Sequence, residues 1–460
     1  MSRLRVLVVA VVVLAVGQAG PALAQGYGVY EQGACAMGRG GATVAAPCPD
    51  NSTIFYNPAG LSFDKSIQLG AGTVFIAPRG DFTNNTTKNV STLNSHFYPV
   101  PNIYLSRGIT DTVAVGLGMM APYGLTTDWP EDSEGRFLGY KSVVQGLYFQ
   151  PTVSVKLNEQ VSVGFGIDLT YVKVQLRQRV DLAPQMLTPT ISFATLGVPS
   201  GTDFADVDLS GHTWATSFHF GVLAKLNEKL SVGARYLTNG TGKVDDGELT
   251  TTQIKTGRVL PVALGPTLPA GTPIDALLAS KFADGQVLET GQKGMAELPM
   301  PAQFVMGVAY KATEKATVFA DYRFVQWSKF DQLVITKENS SSPTVTVEDY
   351  RNASALHLGV EYEVSPKLVA RGGFFANSAA APDQTVTPNL PEGARTNYAF
   401  GVGVKLTETA RVDFAYQYLK QSDRDGRTTD GGLARPTVAV NNGVYRFHAN
   451  IIGVMFSGRF

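Results

Sequence analysis

The sequence predicts an all-β chain: a transmembrane antiparallel β-barrel of about fourteen strands with an N-terminal hatch plugging its lumen from the periplasmic side. Three observations predict it. Beyond the N-terminus no stretch approaches the roughly 18 consecutive apolar residues a spanning helix needs. The chain repeats strands of alternating hydrophobicity from Lys65 onward, and the connections between them alternate between very short and very long. At 460 residues with no composition break, one large closed architecture is the economical reading.

The first element is a targeting segment. Arg3 and Arg5 precede an apolar run from Val6 to Val16, and small residues lead to Ala22-Leu23-Ala24 before Gln25. That pattern predicts a secretory signal peptide over residues 1–24, with the mature chain starting at Gln25. The apolar run is about half the length of a membrane-spanning helix, which disfavours an anchor.

The strands come next. In the stretch from Val161 to Leu169, Val161, Val163, Phe165, Ile167 and Leu169 alternate with Ser162, Gly164, Gly166 and Asp168. Lipid is expected on the first set and the lumen on the second. From Arg411 to Leu419, Val412, Phe414, Tyr416 and Tyr418 are expected outward against Asp413, Ala415 and Gln417. Closure of the barrel removes the sheet edges that hydrocarbon could not tolerate.

Six short polar turns punctuate the strands: Arg107 to Asp111, Leu157 to Gln160, Leu226 to Lys229, Lys311 to Lys315, Val364 to Lys367 and Leu406 to Thr409. Seven long stretches near 78–96, 123–139, 179–210, 252–288, 339–346, 379–395 and 421–443 read as external loops. Six turns and seven loops join fourteen strands and leave both chain ends on the short-turn, periplasmic side. A soluble propeller or sandwich would not show such asymmetry. The chain ends on Phe460, like the terminal aromatic that outer-membrane assembly reads; Gly458 departs from that signal. Tyr445 and Phe447 lie out of phase with Phe456 and Phe460, which predicts either a bulge or an early exit from the bilayer. The expected location is the outer membrane of a Gram-negative bacterium.

Residues 25–62 do not alternate and are rich in Gly, Ala and Pro. They are expected to fold back into the lumen as the hatch, with residues 63–460 forming the barrel; a disordered periplasmic tail is the alternative. Cys35 and Cys48 fall in this segment and are the two cysteines of the chain. In an oxidising compartment they predict a disulfide, worth about 3 kcal/mol on the chain-entropy model, against the alternative of two buried thiols.

The hatch ends in Asn57-Pro58-Ala59-Gly60, after Gly38-Arg39-Gly40-Gly41-Ala42 and Asp50-Asn51-Ser52-Thr53. Further along come Ala121-Pro122-Tyr123-Gly124-Leu125, Trp129, Gly135-Arg136, Leu298-Pro299, Ala320-Asp321-Tyr322 with Trp327-Ser328, Pro382-Asp383 and Thr387-Pro388-Asn389-Leu390-Pro391. In that order these motifs resemble the FadL-like family of long-chain fatty acid transporters across nearly the whole mature chain. The resemblance implies passive outer-membrane transport of long-chain fatty acids or similar hydrophobic molecules, with aromatic hydrocarbons as the alternative cargo. The paired cysteines depart from the family pattern, so a tethered hatch is expected to rearrange locally.

Candidate ligand residues follow from strand parity. After Tyr171 the apolar set becomes Val172, Val174 and Leu176 while Lys173, Gln175 and Arg177 take the other face, which reads either as an apolar lumen wall or as a bulge. Near residues 315–330, Asp321 and Arg323 share the inner parity with Val325 and Trp327. Arg323 and Arg371 have the parity to meet a ligand carboxylate, or else to pair with lumen acids such as Asp321 and Asp413. The loops 179–210 and 252–288 carry Met186, Leu187, Ile191, Phe193, Val259, Leu260, Val262 and Phe282, either to capture ligand or to pack on each other.

Other functions are disfavoured. The 38 basic and 38 acidic side chains balance, giving no field for nucleic acid. No Gly-x-Ser-x-Gly or His-Glu-x-x-His motif is present, so neither catalysis nor a metal or other cofactor is expected, and His212, His219, His357 and His448 read as lumen or rim residues. A general porin would have an open polar lumen and no plug. The expected partners are hydrophobic small molecules together with outer-membrane lipid and lipopolysaccharide, and the expected state is a monomer.

Overall fold

A computed structural model describes residues 26–430, 433–434 and 441–460. The signal peptide expected at 1–24, and Gln25, lie outside the described residues. Fourteen antiparallel strands close on themselves: β1 Gln68–Asn84, β2 Tyr98–Gly108, β3 Val113–Asp128, β4 Lys141–Lys156, β5 Val161–Asp181 and β6 Asp203–Lys225. β7 runs in two pieces, Leu230–Leu237 and Gly240–Gln253, as do β8, Gln292–Met300 and Gln303–Lys311, and β9, Ala316–Val325 and Gln332–Lys337. β10 Ala353–Ser365, β11 Leu368–Asn377, β12 Arg395–Lys405, β13 Ala410–Gln421 and β14 Gly443–Arg459 complete the wall. β14 pairs with β1 from Arg459 opposite Gln68 to Gly443 opposite Asn84, which leaves no free edge.

Alternation on the strands sorts the side chains as hydrocarbon demands. Phe165, Ile167 and Leu169 on β5, Phe218, Phe220 and Val222 on β6, Phe414 and Tyr416 on β13, and Ile452 and Phe456 on β14 are exposed and form a continuous apolar belt. Between them Ser162, Asp168, Ser217, His219 and Asp413 are buried in the interior. Trp214 packs against Tyr171 and Phe149 at ring separations of 5.5 and 6.0 Å, marking the outer membrane interface with aromatics. No helix among the described residues is long and apolar enough to cross a membrane.

The short turns fall where the residue chemistry places them, but several strands rise well into stretches read as loops. β5 has 21 residues and β6 has 23, and their pairing continues up to Val180 opposite Ala205. Polar outward residues such as Arg179, Asp206 and Asp208 made these upper portions look irregular, although the ladder is intact there. The bulge considered for Tyr445 and Phe447 is absent: β14 stays in one register throughout, and Tyr445 points inward, 1% exposed. The phase change on β5 is likewise no bulge but an unbroken strand whose Val172 and Val174 are buried in the interior.

The N-terminal segment sits inside the barrel. A short helix α1, Ala34–Gly38, lies against β11 to β14, and a second, α2 Thr53–Tyr56, leads into a 3-10 turn Pro58–Phe63 against β3 to β6. Cys35 and Cys48 are joined by a disulfide within it. Asn57 organises its end. The side-chain carbonyl caps the 3-10 turn by accepting from Ala59 N, and its amide donates to Val44 O and to Val222 O of β6. The Ala59 carbonyl then accepts from Ser154 and Ser162 of the wall. This approach is close enough to require glycine on the barrel: a Cβ at Gly164 would lie 2.5 Å from Ala59 N, and one at Gly221 would lie 2.2 Å from the Asn57 carbonyl oxygen.

Outside, the two longest loops form a small core of their own. Leu182, Phe193, Val198, Phe204, Leu260, Ile274, Leu278 and Leu288 bury one another, so much of the apolar content of these loops is spent on packing. Met186, Val259 and Val262 stay exposed.

Candidate functional site

The barrel interior holds a large cavity, of about 450 Å³, between the hatch, β1 to β4 and the upper ends of β12 to β14. Its walls are mostly apolar, including Ile76, Val100, Leu125, Val144, Leu419 and Phe447. That size and lining suit an elongated hydrophobic molecule.

The cavity reaches the wall at a defect in the sheet. β2 and β3 pair only as far as Ile103 opposite Met119, and the next bond across is Asn94 N to Asp128 O at 2.7 Å. Between these points the strands part, leaving a window beside Tyr98 to Pro101 and Ala121 to Thr127, all of which except Pro122 line the cavity. The physical causes are local. Pro99, Pro101 and Pro122 have no N–H to offer a ladder, and β3 carries one extra residue between Met120 and Tyr123, which bends it away.

The hatch satisfies the backbone groups that the bend frees. Val29 N donates to Pro122 O and Gly124 N donates to Tyr27 O, both at 2.8 Å, so Tyr27 to Val29 acts as a short inner strand on β3. Gln32 adds a two-way amide contact to Ala121, donating to its carbonyl at 3.0 Å and accepting from its N–H at 3.1 Å.

One end of the cavity is polar. Glu392 accepts from the backbone N–H groups of Gly26, Ala380 and Ala381, and Arg395 donates to Gly26 O at 3.1 Å. Glu31 reaches the same region and accepts from Gln417. Above, the external segment around Asn389 folds inward: Trp129 Nε1 donates to Pro388 O, Asn389 Nδ2 donates to Leu138 O, and Ser142 donates to Asn389 Oδ1. Leu390 and Pro391 from this segment roof the cavity.

The residues singled out by parity lie elsewhere in the interior. Val172 and Val174 are 2% exposed in the apolar interior, with Leu176 packed beside them, and none of the three lines the large cavity. Val325 and Trp327 are buried where β9 breaks, and Trp327 packs edge-on against Tyr27 at 4.7 Å. Arg371 does not reach the cavity; it is held by Glu361 and Asp413, each at 2.6 Å, with Arg39 of the hatch and Arg411 completing the network. Arg323 stacks on Tyr30 in a separate small polar void shared with Tyr56, Arg235, Asp321 and His357. Asp321 in turn accepts from hatch amides Thr43 and Val44.

His219 bridges Asp168, at 2.6 Å, and Thr152, at 3.1 Å, a connectivity that resembles an activated nucleophile. All three are buried on the inner face, above the rungs that seat the Asn57-Pro58-Ala59 turn, and the set forms a polar seam between β4, β5 and β6. No cluster of His, Cys, Asp or Glu suited to a metal occurs among the described residues.

Sequence reading missed Pro99, Pro101, Gln32, Glu392 and Arg395. The two prolines in a strand otherwise readable as central were the available signal. Gln32 and Arg395 carried none, because their roles depend on a hatch whose path is set by packing.

The sequence profile of the family described as "Outer membrane protein transport protein (OMPP1/FadL/TodX)" matches residues 15–460. The chain belongs to this family. It is 23% identical to outer membrane protein P1 of Haemophilus influenzae over 95% of each chain. It is 21% identical to the long-chain fatty acid transport protein of Escherichia coli O6:H1 over 86% of each. A solved FadL homologue from Pseudomonas aeruginosa superposes with a TM-score of 0.79 at 17% identity, covering 95% of this chain and all of that one. The OMPP1/FadL/TodX proteins are outer-membrane transport proteins, which places this barrel in the outer membrane of a Gram-negative cell and among transport channels.

Proposed function

We propose that the protein passively carries long-chain fatty acids, or similarly apolar small molecules, into the large cavity and out sideways through the window between β2 and β3. The observation that carries this reading is the window itself: it opens an apolar cavity just above the ladder whose Ile103, Leu105 and Leu117 face lipid, at the level where Phe75, opposite Pro99, is exposed on the outer face. A downward route is filled by the hatch, which is tied by its disulfide and by the Arg39, Glu361, Arg371 and Asp413 network. Residues 25–62 act as that hatch and 63–460 as the barrel, working as a monomer. Val172, Val174 and Leu176 extend the apolar interior along β5 as an approach for ligand.

Arg395 supplies a cation for a carboxylate at the polar end. Glu31 and Glu392 beside it offset that charge, which favours a second reading in which the cargo is a neutral hydrocarbon. The expression of the gene in cells lacking their own transporter separates the two. Uptake of labelled oleate that toluene competes with poorly supports fatty acid transport. Toluene entry without oleate uptake moves the cargo to hydrocarbons, and entry of neither overturns transport. Val100→Trp, which fills the cavity beside the window, is expected to reduce uptake at least about tenfold by occluding the site.

A further inference from the structure

We infer that the outer face of β13, β14 and β1 carries a binding site for the phosphates of lipopolysaccharide. The outward residues of these three adjacent strands fall in registered rows. Tyr416, Ile452 and Phe75 make one row of the apolar belt, and Tyr418, Asn450 and Ala77 make the next row up. Tyr416 donates to Asn450 across the strands, and Tyr418 lies 6.0 Å from the His448 ring, which marks the aromatic interface. The row directly above is Lys420, His448 and Arg79, all exposed.

Neighbouring strands are about 4.8 Å apart and successive outward rows about 7 Å, so three basic side chains stand side by side immediately above the hydrocarbon boundary. The two permanent cations, Lys420 and Arg79, flank His448 on the strands either side of it and so stand about 10 Å apart. Elsewhere on the upper outer face such charges are neutralised: Arg177 by Asp206 and Asp208, Lys243 by Glu297, Lys293 by Asp246. The acids nearest to this row, Asp81 and Asp423, are both engaged by Arg446 one row higher. Among the described residues, no carboxylate pairs with Arg79 or Lys420. Two cations flanking an imidazole where acyl chains end and headgroups begin fit the phosphates of a glycolipid of the outer leaflet, with the acyl chains lying on the Tyr416, Ile452 and Phe75 row below.

This inference rests on the outer-membrane placement and not on the identity of the cargo, so failure of the uptake experiment leaves it standing. Native mass spectrometry of the detergent-solubilised full chain, titrated with bis-phosphorylated lipid A and with its dephosphorylated form, tests it. The unaltered protein is expected to retain the phosphorylated form at least about tenfold better, and Arg79→Gln/Lys420→Gln to abolish that preference while keeping heat-modifiable mobility. Equal retention of both lipids, or an unchanged preference in the double variant, would overturn it. Competition by inorganic phosphate at concentrations matching lipid A would overturn it too, since the site would then recognise free phosphate rather than the lipid. If the double variant fails to assemble, the single changes Arg79→Gln and Lys420→Gln are each expected to lower the preference part-way.

Discussion

Gln32 stands in for a missing strand opposite Ala121. Both halves of its amide engage the one residue, at 3.0 and 3.1 Å, where the bend of β3 has left backbone groups without a ladder partner. A buried backbone donor or acceptor without a partner costs about 1–3 kcal/mol. The window therefore persists because the hatch, and not the neighbouring strand, satisfies its rim.

The first prediction concerns that contact. Gln32→Leu keeps the bulk and removes the two hydrogen bonds to Ala121 and a third to Val29 O, so it is expected to destabilise the protein by about 2 kcal/mol. Amide exchange should accelerate at Ala121 and Gly124 while the belt strands stay protected. Unchanged exchange at those positions would show that the hatch does not support the rim.

Removing Pro122 deletes the extra residue of β3 and lets it run straight past β2. The barrel is expected to assemble, and uptake of ligand to fall to the background of cells lacking the gene. Retained uptake would place the exit elsewhere.

Gly164 is the seat of the Asn57-Pro58-Ala59 turn. Gly164→Val places carbon where Ala59 N and Pro58 now sit, and overpacking of this kind costs about 1–3 kcal/mol. The expected outcome is a barrel that retains its strands but loses hatch docking, read as a lower unfolding temperature together with increased conductance in planar bilayers. Gly372→Ala, where an added Cβ meets only Val360 at 3.5 Å, is the control expected to change neither.

The fourth prediction is a pH dependence. Glu348 lies in the external loop between β9 and β10, and burial pushes its carboxyl up to about 8, with Arg427 opposing. The folded protein thus holds a proton that the unfolded chain releases. The stability this contributes is complete below the ordinary glutamate value of 4.5 and is lost as pH rises through about 8. Thermal unfolding should show declining stability between those limits, and Glu348→Gln should flatten the decline. A wild-type profile that rises over the same interval would refute the assignment.

The barrel was legible because each of its signals is local. Alternation at Val161 to Leu169 reports directly on lipid and lumen, and the six polar turns report on chain reversal. The Asn57 to Gly60 motif was legible as a turn, though not the glycines Gly164 and Gly221 that receive it, since those look like any other lumen residues of a barrel. Arg371 illustrates the boundary: parity placed it inside, yet whether it met a ligand or Asp413 depended on which strands became neighbours, a matter of closure rather than of local pattern.

The sequence by itself determined the barrel and its strand number, because period-two alternation and turn chemistry act within a few residues, and its ordered motifs, from Asn57-Pro58-Ala59 to Pro388-Asn389, resembled the family to which it belongs. Only the tertiary structure decided where the cavity lies, that the wall opens between β2 and β3, and that Gln32, Glu392 and Arg395 border it. Those features arise from contacts between segments as far apart as Gly26 and Arg395, and the free energy of such contacts depends on packing that no local pattern encodes.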